Sequence, residues 1–313
     1  MITKKNARIV FMGTPDIATS YLQCLVDNHF NIVGVYSQPP RRKDRGMTIK
    51  KSPVQILSEK NNIPSFTPSF LNNKDEFKRL KNLRSDIVIV MGYGILLPKF
   101  FLDCPVFGCI NIHLSLLPKL RGAAPIEHAL IIGEKETGVT IFKLTEKLDT
   151  GPILGSDKCF ITDLMTKNEL QNILNNLGKN LLLRILPKYL AKKLILKEQD
   201  DDQATYARKI LSKDRKINFY ENSKNVFNKI RSFEPRTGAW FVLNRERIKI
   251  ISCIIESQKG EPSTILSKDF LIGCNDGSIK PLIIQREGKR PMNIKDFLMG
   301  FNFKVGEKLN IDE

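Results

Sequence analysis

Arg8-Ile-Val-Phe-Met12 is an unbroken apolar run behind a single arginine, and Gly13-Thr14-Pro15-Asp16 follows it directly. An apolar run of this length closed by glycine reads as a buried strand. Thr14 is placed to cap a helix, Pro15 to take its first position, and Asp16 to sit in the first turn, where the helix dipole favours an acid. Asn31 to Tyr36 reads as the next strand. A strand–helix–strand unit of this kind implies parallel strands joined by a right-handed crossover. The turn glycine invites a dinucleotide-binding reading. Gly13-Thr-Pro-Asp-Ile-Ala lacks the second and third glycines of that fingerprint, however, and the reading is rejected.

Outward from this unit the alternation continues. A helix opens at Ser52 with proline behind it, and Asp86 to Met91 is a strongly apolar strand. Its continuation, Gly92-Tyr93-Gly94, reads equally as a tight connection or as a place where backbone approaches a ligand. Gly108 to Leu114 and Thr137 to Leu144 are further strands. Thr166 to Leu190 reads as a long helix, opened by the capping box Thr166-Lys-Asn-Glu169, with Leu170, Ile173, Leu174, Leu177 and Leu181 as its core stripe. The pattern is that of a Rossmann-like open, mostly parallel α/β sheet with flanking helices. Residues 192–213 turn polar. Glu198-Gln-Asp200-Asp-Asp-Gln203 has no periodicity and reads as a solvated run rather than a metal site. Asn225 to Arg231 looks helical, and short strands follow at Ala239–Leu243, Ile248–Ile255, Thr264–Leu266, Phe270–Cys274 and Ile279–Gln285, with Asn275-Asp276-Gly277 as a hairpin turn. The expected organisation is a domain over 1–191, a linker over 192–213 and a small β-barrel over 214–313.

The chemistry-bearing stretch is Gly108-Cys-Ile-Asn111-Ile-His113-Leu-Ser115-Leu-Leu-Pro118. Strand side chains alternate between faces, so Asn111 and His113 share one face, about 6.6 Å apart along the strand, and the aliphatics take the other. Pro118 bars continuation. An amide and an imidazole are thus expected at a strand's end, where open α/β sheets bind ligands. A strand histidine is commonly structural, but neither His29, in a polar patch, nor His128, in an apparent helix, has a comparable setting. Leu148-Asp149-Thr150-Gly151-Pro152 adds an acid in a loop, where aspartate is often only a turn former. Asn, His and Asp together suit carbonyl transfer: an amide to stabilise an oxyanion, an imidazole to move a proton and a carboxylate to orient it.

Over 313 residues, 42% hydrophobic and 27% charged residues describe a chain able to bury a sizeable core. The net charge of +17 points to a polyanionic partner. Residues 207–313 hold 21 Lys and Arg against 13 Asp and Glu, and the remainder 29 against 20, so both parts share the excess. Six cysteines without a Cys-x-x-Cys spacing, with three histidines, argue against zinc and for a reducing cytosol. No apolar stretch reaches the ~18 residues of a membrane span, and the apolar run before Gly13 is too short for a signal peptide.

The Asn-x-His and Leu-Asp-Thr-Gly-Pro elements resemble those of the folate-dependent formyltransferases. The likeness runs nearly full length, to the members acting on methionyl-tRNA: Phe11-Met-Gly13-Thr-Pro15-Asp, Ser37-Gln-Pro39, Arg45-Gly46, Ser52-Pro-Val54, Met91-Gly-Tyr93-Gly-Ile-Leu-Leu-Pro98, Arg121-Gly-Ala-Ala-Pro125, Glu136-Thr-Gly-Val-Thr140, Gly288-Lys-Arg-Pro-Met292 and Gly306-Glu-Lys-Leu309. The resemblance implies transfer of the formyl group of 10-formyltetrahydrofolate to the α-amino group of initiator methionyl-tRNA, without a metal, in a cytoplasmic, monomeric enzyme. It implies Asn111, His113 and Asp149 as the catalytic group, with Asp149 either orienting His113 or taking the amine's proton through a water. It implies Ser115, Leu116, Leu117, Pro118 and the turn Met91, Gly92, Tyr93, Gly94 as the folate site, and an OB-like C-terminal barrel for tRNA. The segment from Gln38 to Lys51 reads on its own as a basic loop without regular structure, solvated or RNA-binding. The resemblance assigns Arg41, Arg42, Lys43 and Arg45 to the tRNA acceptor end. The chain departs from the family pattern at Leu114, where a small residue is usual, in the extra basic residues of 40–44, and in Glu234-Pro-Arg-Thr-Gly-Ala-Trp240. Two alternatives stand beside this reading: a formyltransferase acting on a small amine, and an inactive RNA-binding relative.

Overall fold

A computed structural model describes residues 6–43, 48–235 and 237–309. The chain divides into two compact units. The first comprises residues up to Gly122, Gly138–Cys159 and Ile173–Tyr206; the second comprises Ala123–Thr137, Phe160–Asn172 and the chain from Ala207 on.

In chain order the elements begin β1 (Arg8–Gly13), α1 (Asp16–Asp27), β2 (Asn31–Tyr36), β3 (Arg41–Lys43), β4 (Thr48–Lys50), α2 (Pro53–Lys60), β5 (Ser65–Phe66), α3 (Lys74–Asn82), β6 (Ile87–Met91), α4 (Lys99–Asp103) and β7 (Cys109–His113). They continue α5 (Pro125–Ile131), β8 (Glu136–Lys143), β9 (Ile153–Phe160) and α6 (Lys167–Leu190). One seven-stranded sheet runs β5-β2-β1-β6-β7-β8-β9. β1, β2, β5, β6 and β7 are parallel, and β8 runs antiparallel to β7. β1 and β6 are apolar and buried on both faces, as parallel strands covered by helices must be. The chain leaves β1 to one side for β2 and crosses to the other side for β6, so the strand order reverses next to β1. Open sheets hold ligands outside the carboxyl ends of strands at such a switch point. Here those ends are Gly13, Met91 and His113. A side chain at Gly13 would collide with Ala18 and the Met91 backbone, so the two strand ends can meet only over glycine.

Four local expectations are corrected. Thr14 does not cap α1. Pro15 holds the cap position with extended backbone, because the Thr14 hydroxyl is engaged elsewhere: it donates to the Tyr93 carbonyl at 3.0 Å and accepts from Gln38 N at 3.2 Å. The basic segment 38–51 is not irregular throughout: residues 41–43 and 48–50 are strands. β3 and β4 pair antiparallel, Arg41 opposite Lys50, which the prolines permit because both precede the ladder. Of the expected α6 stripe, Leu170, Leu174 and Leu181 are buried but Ile173 is 40% exposed, and Leu182, Ile185 and Leu186 join the buried face; the buried face of a helix with 3.6 residues per turn drifts along so long an element. The capping box of α6 does form, Glu169 N to Thr166 Oγ1 and Thr166 N to Glu169 Oε2. The fourth correction is Thr264–Leu266, which makes only isolated bridges, to Lys308 and Ile272.

The second unit is built on α7 (Ser223–Arg231), β10 (Ala239–Leu243), β11 (Glu246–Glu256), β12 (Ile272–Gly273), β13 (Ser278–Arg286), β14 (Met292–Asn293) and α8 (Ile294–Gly300). The sheet order is β10-β11-β13-β12, all antiparallel, with β14 against β13. Register irregularities between Ile250 and Cys253 bend β11, the way bulges curl a sheet toward a barrel. Phe219, Phe241, Phe270 and Phe297 fill the interior. The architecture is an OB-like half-barrel. No helix among the described residues is long and apolar enough to cross a membrane.

Candidate active site

β7 ends on His113, which is 6% exposed, and Asp149 is 8% exposed beside it. The imidazole Nδ1 lies 3.8 Å from Asp149 Oδ2, and its Nε2 lies 2.9 Å from the Leu120 carbonyl oxygen. A carbonyl only accepts, so Nε2 carries a proton and donates. In the neutral ring Nδ1 is then a lone pair facing the carboxylate. Burial lowers the His113 pKa below the usual histidine value, opposed by the Asp149 charge and the Leu120 carbonyl. The neutral ring is therefore the form held at rest near pH 7. The sequence reading is refined at one point: a backbone carbonyl fixes the tautomer, and the carboxylate faces the other ring nitrogen.

Asp149 has φ +52°, the left-handed region that costs an L-residue about 1–2 kcal/mol, less for Asp. Hydrogen bonds worth about 1 kcal/mol each offset this cost. Gly122 N donates to Asp149 Oδ2 at 2.8 Å, and the Gln199 amide donates to the Asp149 and Gly151 carbonyls, both at 2.8 Å. Gly151 is required because a Cβ there would run into the Lys143 carbonyl. Asn111, two residues before His113 on the same strand face, is half-buried. Its side-chain amide makes no hydrogen bond among the described residues, so its donors are unspent at the mouth of the site.

The flanking turns are held by their own bonds. Ser115 Oγ donates to the Lys119 carbonyl at 2.6 Å, so its proton is used in the turn. Thr140 Oγ1 donates to the Ser115 carbonyl at 2.7 Å and accepts from Leu117 N at 3.1 Å. Leu117 is buried, while Leu116 and Pro118 are half-buried. On the other side Gly92 and Gly94 have φ +58° and +78°, and a Cβ at Gly94 would strike Gln38. Met91 and Tyr93 are buried, and Gly92 and Gly94 are exposed. The Tyr93 carbonyl accepts from both Thr14 Oγ1 and Gln38 Nε2, the latter at 2.9 Å. This turn therefore meets the root of the β3–β4 hairpin, where Ser37 and Ser52 share a hydroxyl bond of 2.6 Å. Arg41 is exposed on that hairpin, Arg42 and Lys43 continue its strand, and Arg45 lies outside the described residues. Among the described residues no cluster of three or more His, Cys, Asp or Glu side chains could hold a metal ion. Sequence reasoning missed Leu120, Gly122, Thr140 and Gln199. Leu120 and Gly122 act through backbone atoms, which leave no side-chain signal.

A formyl transferase family model matches residues 7–186, and its C-terminal domain model matches residues 209–302. The chain belongs to the formyltransferase family. Among the relatives of this formyltransferase, the methionyl-tRNA formyltransferase of Pelagibacter ubique is 41% identical over 310 residues, covering 98% of this chain and 99% of that protein. That of Kosmotoga olearia is 40% identical over 308 residues, covering 96% and 99%. Among solved structures, an N-formyltransferase from Helicobacter canadensis, in complex with folinic acid and dTDP-3-aminofucose, matches with TM-score 0.65 at 21% identity, covering 90% of this chain and 99% of that one. HypX from Aquifex aeolicus, in complex with tetrahydrofolic acid, matches with TM-score 0.66 at 15% identity, covering 93% of this chain and 46% of that one. At these identities the structural likeness speaks to the formyltransferase fold.

Proposed function

We infer that this protein transfers the formyl group of 10-formyltetrahydrofolate to the α-amino group of initiator methionyl-tRNA. The observation that carries the reading is the His113–Asp149 pair across 3.8 Å, buried beside the unspent Asn111 amide at the sheet's switch point. Full-length likeness to enzymes named for methionyl-tRNA supports the acceptor. The folate ligands of two structural neighbours support the donor class.

The donor supplies an electrophilic formyl carbon bonded to a nitrogen leaving group. The attacking α-amino group must be neutral, and with an ordinary pKa near 7.7–8.0 it needs only modest help. Asn111 donates to the oxygen that becomes O⁻ on attack, a contribution of about 3–4 kcal/mol. His113, with Nε2–H committed to Leu120, offers its Nδ1 lone pair on the face it shares with Asp149. The proton released by the amine as its C–N bond forms is taken between these two groups. It is returned to the departing nitrogen as the old C–N bond breaks. Two acceptors a few ångströms apart fit this role better than a relay, since the carboxylate stabilises the protonated imidazole. Met91–Gly94 and Ser115–Pro118 form the walls for the pterin, their backbones held open by Gly92 and Gly94 on one side and Thr140 on the other. Arg41, Arg42, Lys43 and Arg45 meet tRNA phosphates, which position the RNA and make binding salt-dependent. Residues 1–191 form the catalytic domain, 192–213 the connection and 214–313 the tRNA-binding domain of a cytoplasmic monomer. The test is formyl transfer to charged initiator tRNA measured against small amines, including aminosugar nucleotides. Turnover on methionyl-tRNA is expected, and activity confined to small amines would overturn the reading.

A further inference from the structure

We propose that Gln199, oriented by Arg121, is a positioning residue that sets Asp149 against His113. The inference rests on the catalytic roles given above. Gln199 lies within the acidic run 198–203, which by composition looks merely solvated, yet every polar atom of its side chain is assigned. Its Nε2 donates to the Asp149 and Gly151 carbonyls, both at 2.8 Å. Its Oε1 accepts from Arg121 Nε at 3.2 Å and Nη2 at 2.9 Å. Arginine only donates, so the amide cannot be flipped: reversal would set its NH₂ against the guanidinium and its oxygen against two carbonyls. Arg121 is itself 2% exposed, and its Nη2 also reaches Asp201 Oδ1 at 2.6 Å.

The surrounding segment makes the same frame. Leu120 N donates to Thr205 Oγ1 at 2.9 Å, and Arg121 N donates to the Thr205 carbonyl at 2.8 Å. Leu120 is the residue whose carbonyl holds His113, and Gly122 is the one whose amide holds the Asp149 carboxylate. The stretch 199–205 thus grips both sides of the His113–Asp149 gap while donating no atom to it. Asp149 sits in the left-handed region and Gly151 presses on Lys143. Without the two Gln199 bonds nothing else described ties the carbonyls of this loop at that point.

The test uses the full chain with Gln199→Leu, which removes donors and acceptor, and Gln199→Glu, which keeps an acceptor for Arg121 but loses both donors. Gln199 is half-exposed, so neither substitution opens a core. Turnover number should fall about 10- to 100-fold in both, the scale of a small misplacement of a reacting group. KM for tRNA and for the formyl donor should stay within about threefold. In Gln199→Leu the His113 ring protons, followed by NMR, should titrate at lower pH than in the wild type, because the nearby carboxylate raises that midpoint. A turnover number within about twofold of wild type in both variants, or a lowered one with His113 titration unmoved, overturns the proposal. Failure of the wild type to formylate methionyl-tRNA would instead overturn the acceptor assignment, and the His113 titration would still decide whether Gln199 places Asp149.

Discussion

The end of β7 and the β3–β4 hairpin flank the same turn at Tyr93 but are made differently. His113 and Asp149 are buried, each held by a backbone partner, with Thr140 bracing the turn after them. The hairpin's described ladder is three residue pairs long and exposes Arg41 and Ile49, and its root is tied to the Tyr93 turn through Gln38. Groups that move a proton need placement within a fraction of an ångström, and a crowded, hydrogen-bonded setting supplies it. On the proposed reading, groups that meet phosphates need charge and reach, and an exposed ladder supplies both. Substitutions at the first region should therefore cost turnover, and those at the second should cost tRNA affinity.

The sharpest break of this contrast is at Asn111. Asn111→Ala should lower turnover by about 10²–10³ with KM for tRNA nearly unchanged. His113→Ala and Asp149→Asn should each cost at least about 10² in turnover, while filter-binding affinity for tRNA stays near wild type. A parallel loss of affinity would show that the two regions are not separable. Arg41→Ala with Arg45→Ala should leave single-turnover chemistry intact at saturating tRNA. It should weaken binding and flatten the slope of log affinity against log salt by about 1 for each phosphate no longer neutralised.

The smallest effect is on stability. The folded pKa of His113 is lowered by burial, so below an unfolded value of about 6.5 the unfolded chain binds more protons than the folded one. The stabilisation from keeping this ring neutral is then complete above about pH 6.5 and is lost as pH falls from there through the folded value. Urea denaturation between pH 5 and 7 should show His113→Gln losing less stability on acidification than wild type. In Asp149→Asn the histidine midpoint should fall further, since the carboxylate is what raises it.

What can be read without coordinates follows from how each feature is encoded. β1 and β6 are legible because double-faced burial demands runs such as Ile-Val-Ile-Val, and β7 because Asn111 and His113 alternate with Ile110 and Ile112, a period-two signal that a helix does not produce. β9 escapes such a reading because an edge strand alternating half-buried and exposed residues, Ile153–Phe160, carries Gly, Ser, Asp and Lys among its eight positions. α8 escapes it because seven residues with a single buried side chain, Phe297, show no apolar stripe. The hairpin is hidden because Pro39 and Pro40 argue against a ladder only if they lie within it, and they lie before it. Of the candidate site, the side chains that meet at the end of β7 are legible. The bonds that hold them are not: Gln199 meets Asp149 fifty residues away through a main-chain oxygen, and any residue type has one of those.

The hydrogen bond from His113 to Leu120 has a last consequence. With one nitrogen permanently occupied, the ring is a single-ended store and not a conduit through the protein wall. In the proposed reaction, a proton that enters on Nδ1 must depart by the same doorway, so the cycle would reset through the opening that the substrates themselves use.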